Sequence, residues 1–189
     1  IGHWVEYQVD SIWYDEYTPT SGSFSYRVRE TLFEEFTDPE GRPAQRIRRT
    51  VQDTSGNWYT KDIWWQTRDN YAAERTEENE RRLKLTFPIG SGRNWDLNIY
   101  NTAEVREVTY KNLHQPWSSN GLSYDSTLTV KGTYYNNVVD TISINERWAK
   151  HVGMVSRDHT ESKSQYDSAL STWLTRGWRV KMEAVAYGD

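Results

Sequence analysis

The sequence predicts an all-β domain with little helix, a long-stranded antiparallel meander forming a strongly curved sheet or open barrel, with a two-sheet β-sandwich as the alternative. Three observations predict it. Apolar residues recur with period two over many segments, turn-forming residues separate those segments, and the chain is poor in apolar residues yet rich in aromatics. The apolar fraction is 35 %, against ~45–50 % in ordinary globular chains. Ten Trp and thirteen Tyr argue against disorder, which lacks aromatics. A sheet with one face in water reconciles the two.

The segments run in order. From Phe24, the even positions Phe24, Tyr26, Val28, Leu32 and Phe36 are apolar, with Glu30 and Glu34 among them, while the odd positions are mostly polar. That alternation is a half-buried strand. Trp58 to Trp65 is aromatic on both parities, which predicts a strand covered on both faces. Glu74 to Arg82 has helix-forming composition but no apolar stripe, so it reads as a solvated strand or a hairpin end. Leu83, Leu85, Phe87 and Ile89 alternate around Pro88, and Asn94–Asn98 reads as a short turn. Leu122, Tyr124, Leu128 and Val130 alternate again, as do Tyr134, Val138, Ile142 and Ile144, then Trp178, Val180, Met182, Ala184 and Ala186. Ser164 to Thr175 is the one helix candidate. Its Tyr166, Ala169, Leu170 and Trp173 fall at helical spacing, yet Ser168, Leu170 and Thr172 alternate as a strand would.

Turn signals stand at Pro19–Gly22, Asp38–Gly41, Ser55–Asn57, Gly90–Gly92, Asn120–Gly121 and Asn136–Asn137. Each offers a residue that tolerates positive φ or fixes φ. Asn120–Gly121 is the strongest, matching a two-residue type I′ hairpin. About ten strands result, near the number at which an open sheet curls, splits or closes. With no linker or repeat, residues 1–189 form one domain.

Composition excludes several classes. Net charge is −4 with both signs interspersed, so nothing forms the basic stripe of a nucleic-acid binder. The run Arg46-Ile47-Arg48-Arg49 alternates and reads as the solvated face of a strand. Without Cys there are no disulfides or thiolate metal sites. No apolar stretch reaches the ~18 residues a spanning helix needs. The chain opens on Ile1 rather than Met, which fits processing or trimming. The signatures of phosphate-binding loops, nucleophile elbows and zinc proteases are missing. His3, His114, His151 and His159 lack ligand spacing, so no metal and no cofactor is expected.

Candidate site residues come from one strand face and from the aromatic pairs. Glu30 and Glu34 share a parity and would lie ~13 Å apart on a regular strand. They read as a polar lining inside a cup, as an acid–base pair, or as ion-pair partners of Arg49, which shares a parity with Ile47 and Val51. Tyr26 belongs to the same face. Trp64 and Trp65 are adjacent, so they point to opposite faces. One of them is free to stack on a sugar or a protein partner, or on a neighbouring strand.

Two blocks carry a family resemblance. Leu83-Lys84-Leu85-Thr86-Phe87-Pro88-Ile89-Gly90 with Trp95, and Glu146-Arg147-Trp148-Ala149-Lys150-His151-Val152-Gly153-Met154-Val155, resemble elements of uncharacterised β-rich cell-envelope lipoproteins of Bacteroidota-type bacteria. In the second block His151 stands where the pattern carries Gly. The resemblance implies an extracytoplasmic location in the periplasm or on the outer surface, and an N-terminal lipid anchor outside this chain. It brings no catalytic residues.

Three functions follow as expectations. The first is a non-catalytic envelope protein that binds a partner, such as a lipid, a glycan or an envelope protein, or structures the surface; it expects a filled core. The second is a carrier of a lipid or other apolar ligand in an open barrel, which expects a cavity of several hundred Å³. The third is a hydrolase using Glu30 or Glu34. The sequence leans away from an enzyme.

Overall fold

The computed structural model describes residues 1–15, 17–132, 135–137 and 139–189. Tyr134 and Val138, two alternating positions of one expected strand, lie outside the described residues. Among the described residues there is no helix.

The alternating segments become β1 (Trp4–Tyr14), β2 (Ser21–Thr37), β3 (Pro43–Gln52), β4 (Trp58–Arg68), β5 (Ala72–Glu77), β6 (Glu80–Thr86), β7 (Asn94–Asp96), β8 (Glu107–Ser119), β9 (Leu122–Gly132), β10 (Tyr135–Asn136), β11 (Asp140–Ala149), β12 (Gly153–Asp167) and β13 (Thr172–Gly188). Twelve form one path, β6-β5-β4-β3-β2-β1-β13-β12-β11-β9-β8-β7, and β10 pairs with β11 off that path. Every pairing is antiparallel. The sheet curls into a nearly closed barrel, as expected, with one seam between β6 and β7.

The seam is closed by scattered bonds instead of a ladder. Leu83 N–H donates to Leu97 O at 2.9 Å, and the Trp95 indole donates to Leu83 O at 2.9 Å. The Tyr110 hydroxyl accepts from Thr86 N at 2.9 Å and donates to Thr86 O at 2.7 Å. Backbone groups at a buried edge need such partners.

Alternation puts one face inward. Val5, Tyr7, Val9, Val28, Val51, Met154, Met182 and Ala184 form one apolar cluster. Leu83, Trp95, Leu97, Val108, Tyr110, Leu128, Val130 and Ile144 form a second. The Asn120–Gly121 turn joins β8 to β9 with φ of 52° and 78°, as the dipeptide predicts. His151 adopts φ 67° in the β11–β12 turn, a left-handed conformation uncommon for a residue other than Gly.

One open alternative is decided and two expectations change. Ser164–Thr175 is the end of the β12–β13 hairpin, not a helix. Trp58–Trp65 is not covered on both faces: Trp64 is buried, while Ile63 on the opposite face is about half exposed. The basic run of β3 splits, with Arg48 exposed and Arg49 largely covered beside Ile47.

Candidate functional site

The site grows from charges that alternation turns inward. Glu30 stands opposite Val5 on β1 and Arg49 on β3. Its Oε2 accepts from Arg75 Nη1 at 2.9 Å, and Arg49 Nε lies 3.8 Å from its Oε1. Arg49 also donates to Asp62 at 3.2 Å and covers the Trp64 ring at 4.6 Å. Arg75 donates its other nitrogen to Gln66 at 3.2 Å.

A second group adjoins the first. Lys84 Nζ lies 3.0 Å from Glu146 and 3.4 Å from Glu77. Arg157 reaches Glu77 at 2.7 Å and Glu146 at 3.1 Å. His159 Nε2 stands 3.4 Å from Glu146. Burial opposes every one of these charges, and pairing decides the balance. Burial would raise Glu77, but Arg157 and Lys84 hold it well below the usual carboxylate range. Lys84 and Arg157 do the same for Glu146. Lys84 ends below its ordinary value because burial outweighs the carboxylates beside it. His159 falls to about 3, from burial first and the Arg157 charge second. It is therefore a neutral imidazole at neutral pH.

Above these charges the barrel is open. A cavity of about 1220 Å³ occupies its mouth, larger than the ~300–1,000 Å³ of ordinary small-molecule sites. Leu32, Ile47, Leu85, Phe87, Ile89 and Leu128 supply apolar wall. Tyr7, Glu30, Arg75, Lys84 and Trp148 supply the polar groups of its lining. Exposed Arg68, His114, Lys150 and His151 stand at the rim with Glu35. His3 also lines it, held between Asp189 and Val152 O. A smaller cavity of about 290 Å³, lined by Leu97, Arg106, Ile144 and Trp178, reaches His159 from elsewhere in the molecule.

The expected site residues scatter. Only Glu30 lines the mouth cavity. Glu34 does not share its face: the register shifts between Leu32 and Glu34, and Glu34 is exposed, paired with Arg46 at 3.0 Å. A bulge adds one residue and so reverses alternation beyond it. The acid–base pair is thereby lost, and with it the geometry behind the hydrolase reading. Arg49 and Trp64 belong to the packing around Glu30 and not to the cavity wall. Trp65 stands on the opposite face from Trp64, edge-on to Phe36 at 6.0 Å. Tyr26 packs against the first apolar cluster.

No family model, no curated protein and no solved structure matches this chain. Its chemistry must be read from the residues themselves. Arg75, Lys84, Glu146 and Trp148 were not among the site residues the sequence suggested. Glu146 was readable, since it shares a parity with Ile142 and Ile144. Arg75 and Lys84 were not, because their partners Glu30 and Glu146 lie 45 and 62 residues away.

Proposed function

We propose that this protein binds a small, mostly apolar molecule in the mouth of its barrel, and acts as a carrier or sequestering protein. One observation carries the reading, the cavity of about 1220 Å³ whose walls are mainly aliphatic and aromatic. A surface-structural protein would fill that space with its own side chains. The paired state of the interior charges speaks against using them as acids or bases. The two blocks described above support an envelope setting for this role, which subcellular fractionation of the source cells would test.

A neutral solvatochromic dye tests the binding. It should gain fluorescence with the protein and be displaced by apolar compounds. Ala73 lines the cavity opposite Leu85, so Ala73→Trp should fill it and weaken dye binding by tenfold or more with little change in Tm. The reading fails if the wild-type protein binds neither the dye nor any neutral or charged amphiphile in native mass spectrometry.

A further inference from the structure

The smaller cavity lies at the far end of the barrel and has a different chemistry from the mouth. Met182 belongs to the core, and Val180 and Trp178 share its inward face of β13. The register sets Trp178 directly between Trp13 on β1 and Glu161 on β12, about 5 Å from each across the ladder. The opposite wall stops short of this row. Glu77, the last residue of β5, bonds to Arg157, which precedes Glu161 on β12, and the β5–β6 turn follows. β12 and β13 run on to Asp167 and Thr172. The row is therefore accessible: Trp13 and Trp178 are each 40 % exposed, and the Glu161 side chain is 53 % exposed.

The connection from β7 to β8 comes over the same row. Arg106 Nη2 donates to Glu161 Oε1 at 3.3 Å, and its Nη1 donates to Glu104 at 2.9 Å. Between this connection and β12–β13 lies the cavity of about 290 Å³, with Trp178, Glu161, Arg106, Glu104 and Thr160 in its wall. At ~30 Å³ per water that is space for roughly ten, the bulk of one sugar ring. Trp13 extends the indole surface beyond the cavity. Its Nε1, Cε2 and Cζ2 occupy the place where a Cβ on Gly22, its partner on β2, would stand. The ring thus lies across β2 and keeps an exposed side.

The wall selects a neutral, hydroxylated ligand. Among the described residues it carries Glu80, Glu104 and Glu161 against Arg82 and Arg106, an excess of negative charge that opposes an anion. An apolar ligand would strip water from these groups and return no hydrogen bond. Hydroxyls donate to Glu161 and Glu104 and accept from Arg106, and an indole offers a flat apolar face to the C–H side of a sugar ring. We infer that this cavity binds one ring of a neutral glycan, stacked on Trp178 and hydrogen-bonded through its hydroxyls to Glu161 and Arg106, with the next ring of the chain on Trp13. The site shares no described lining residue with the mouth cavity and does not depend on the binding function proposed there.

The test is calorimetry and saturation-transfer NMR with the methyl glycosides of glucose, galactose, mannose and N-acetylglucosamine, and with linear tetrasaccharides of the same sugars. At least one methyl glycoside should bind, and its tetrasaccharide should bind about tenfold more tightly. Trp178→Ala should weaken both at least tenfold. Glu161→Gln is nearly isosteric at a half-exposed position, so its effect reports on binding and not on folding; it should weaken both about three- to tenfold. Trp13→Ala should remove the advantage of the tetrasaccharide and leave the methyl glycoside unchanged. Failure of the whole panel to bind overturns the inference. Binding that Trp178→Ala and Glu161→Gln both leave unchanged also overturns it, because the sugar would lie elsewhere. Glucuronate or glucosamine binding more tightly than every neutral glycoside overturns it too, since charge would then be recognised instead of hydroxyls. Ala73→Trp, in the mouth, should weaken the dye and not the glycoside, so failure of either site is read separately from the other.

Discussion

His159 is the residue whose position has the clearest thermodynamic consequence. It is buried beside Arg157, Lys84, Glu77 and Glu146 and titrates at about 3 against an ordinary 6.5. Between those values the unfolded chain binds a proton that the folded chain refuses. A depressed folded pKa means stability that is complete above pH 6.5 and is lost as the pH falls toward 3. The slope for one such group is about 1.4 kcal/mol per pH unit. Glu77 and Glu146, also depressed, add to acid sensitivity only below the ordinary carboxylate value of 4.5. Urea denaturation at steps from pH 5 to 6.5 therefore isolates His159. The wild-type protein should lose stability over that interval, and His159→Phe should flatten the loss. An equal slope in the variant would mean that another group takes up the proton.

At the scale of the element, the seam and the bulges matter more than the regular ladders. Tyr110 of β8 holds both backbone groups of Thr86 on β6. Tyr110→Phe removes both bonds and leaves a backbone N–H with no partner at the barrel edge, a cost of about 1–3 kcal/mol. Hydrogen exchange at Thr86 should quicken more than exchange in β1 or β13; unchanged protection would show that the seam does not depend on this hydroxyl. The strands themselves were legible because one-sided burial writes a period of two. The β2 bulge was not, since Phe33 is apolar on either face and nothing in the composition marks the extra residue. The false helix signal at Ser164–Thr175 has a physical origin. Tyr166 and Trp173 are directly paired across the β12–β13 hairpin, 5.7 Å between ring centres, so their seven-residue spacing records a turn. Asp167 closes that turn by accepting from the Ala169 and Leu170 backbone at 2.8 and 3.0 Å. The charged run Glu74–Arg82 was read correctly as a hairpin end but not as solvated. Arg75 and Glu77 face inward to partners 45 and 80 residues away, and a local pattern carries no record of such distances.

For the whole molecule, strand number sets the interior. About eight strands make a barrel that side chains can fill or that holds one small ligand, and sixteen or more leave an aqueous channel. Twelve strands fall between, which accounts for an interior part packed, part charged and part open. The same geometry predicts how the molecule opens. β1 is paired on both sides along its whole length, and β13 on both sides from Gly177 to Glu183, whereas β6 has a ladder on one side only and β7 contributes three residues. Local unfolding begins where backbone bonds are fewest, so exchange should be fastest in β6, β7 and the connection between them, and slowest in β1 and β13. Ligand binding reports on the same element, because Leu85 of β6 and the following Phe87 and Ile89 line the cavity. A ligand at a hundred times its Kd stabilises the folded state by about 2.7 kcal/mol, and the added protection should concentrate in β6 and in the β11–β12 turn that carries Lys150 and His151. Uniform protection along the chain would place the ligand elsewhere; protection confined to β6 and that turn would locate it in the mouth of the barrel.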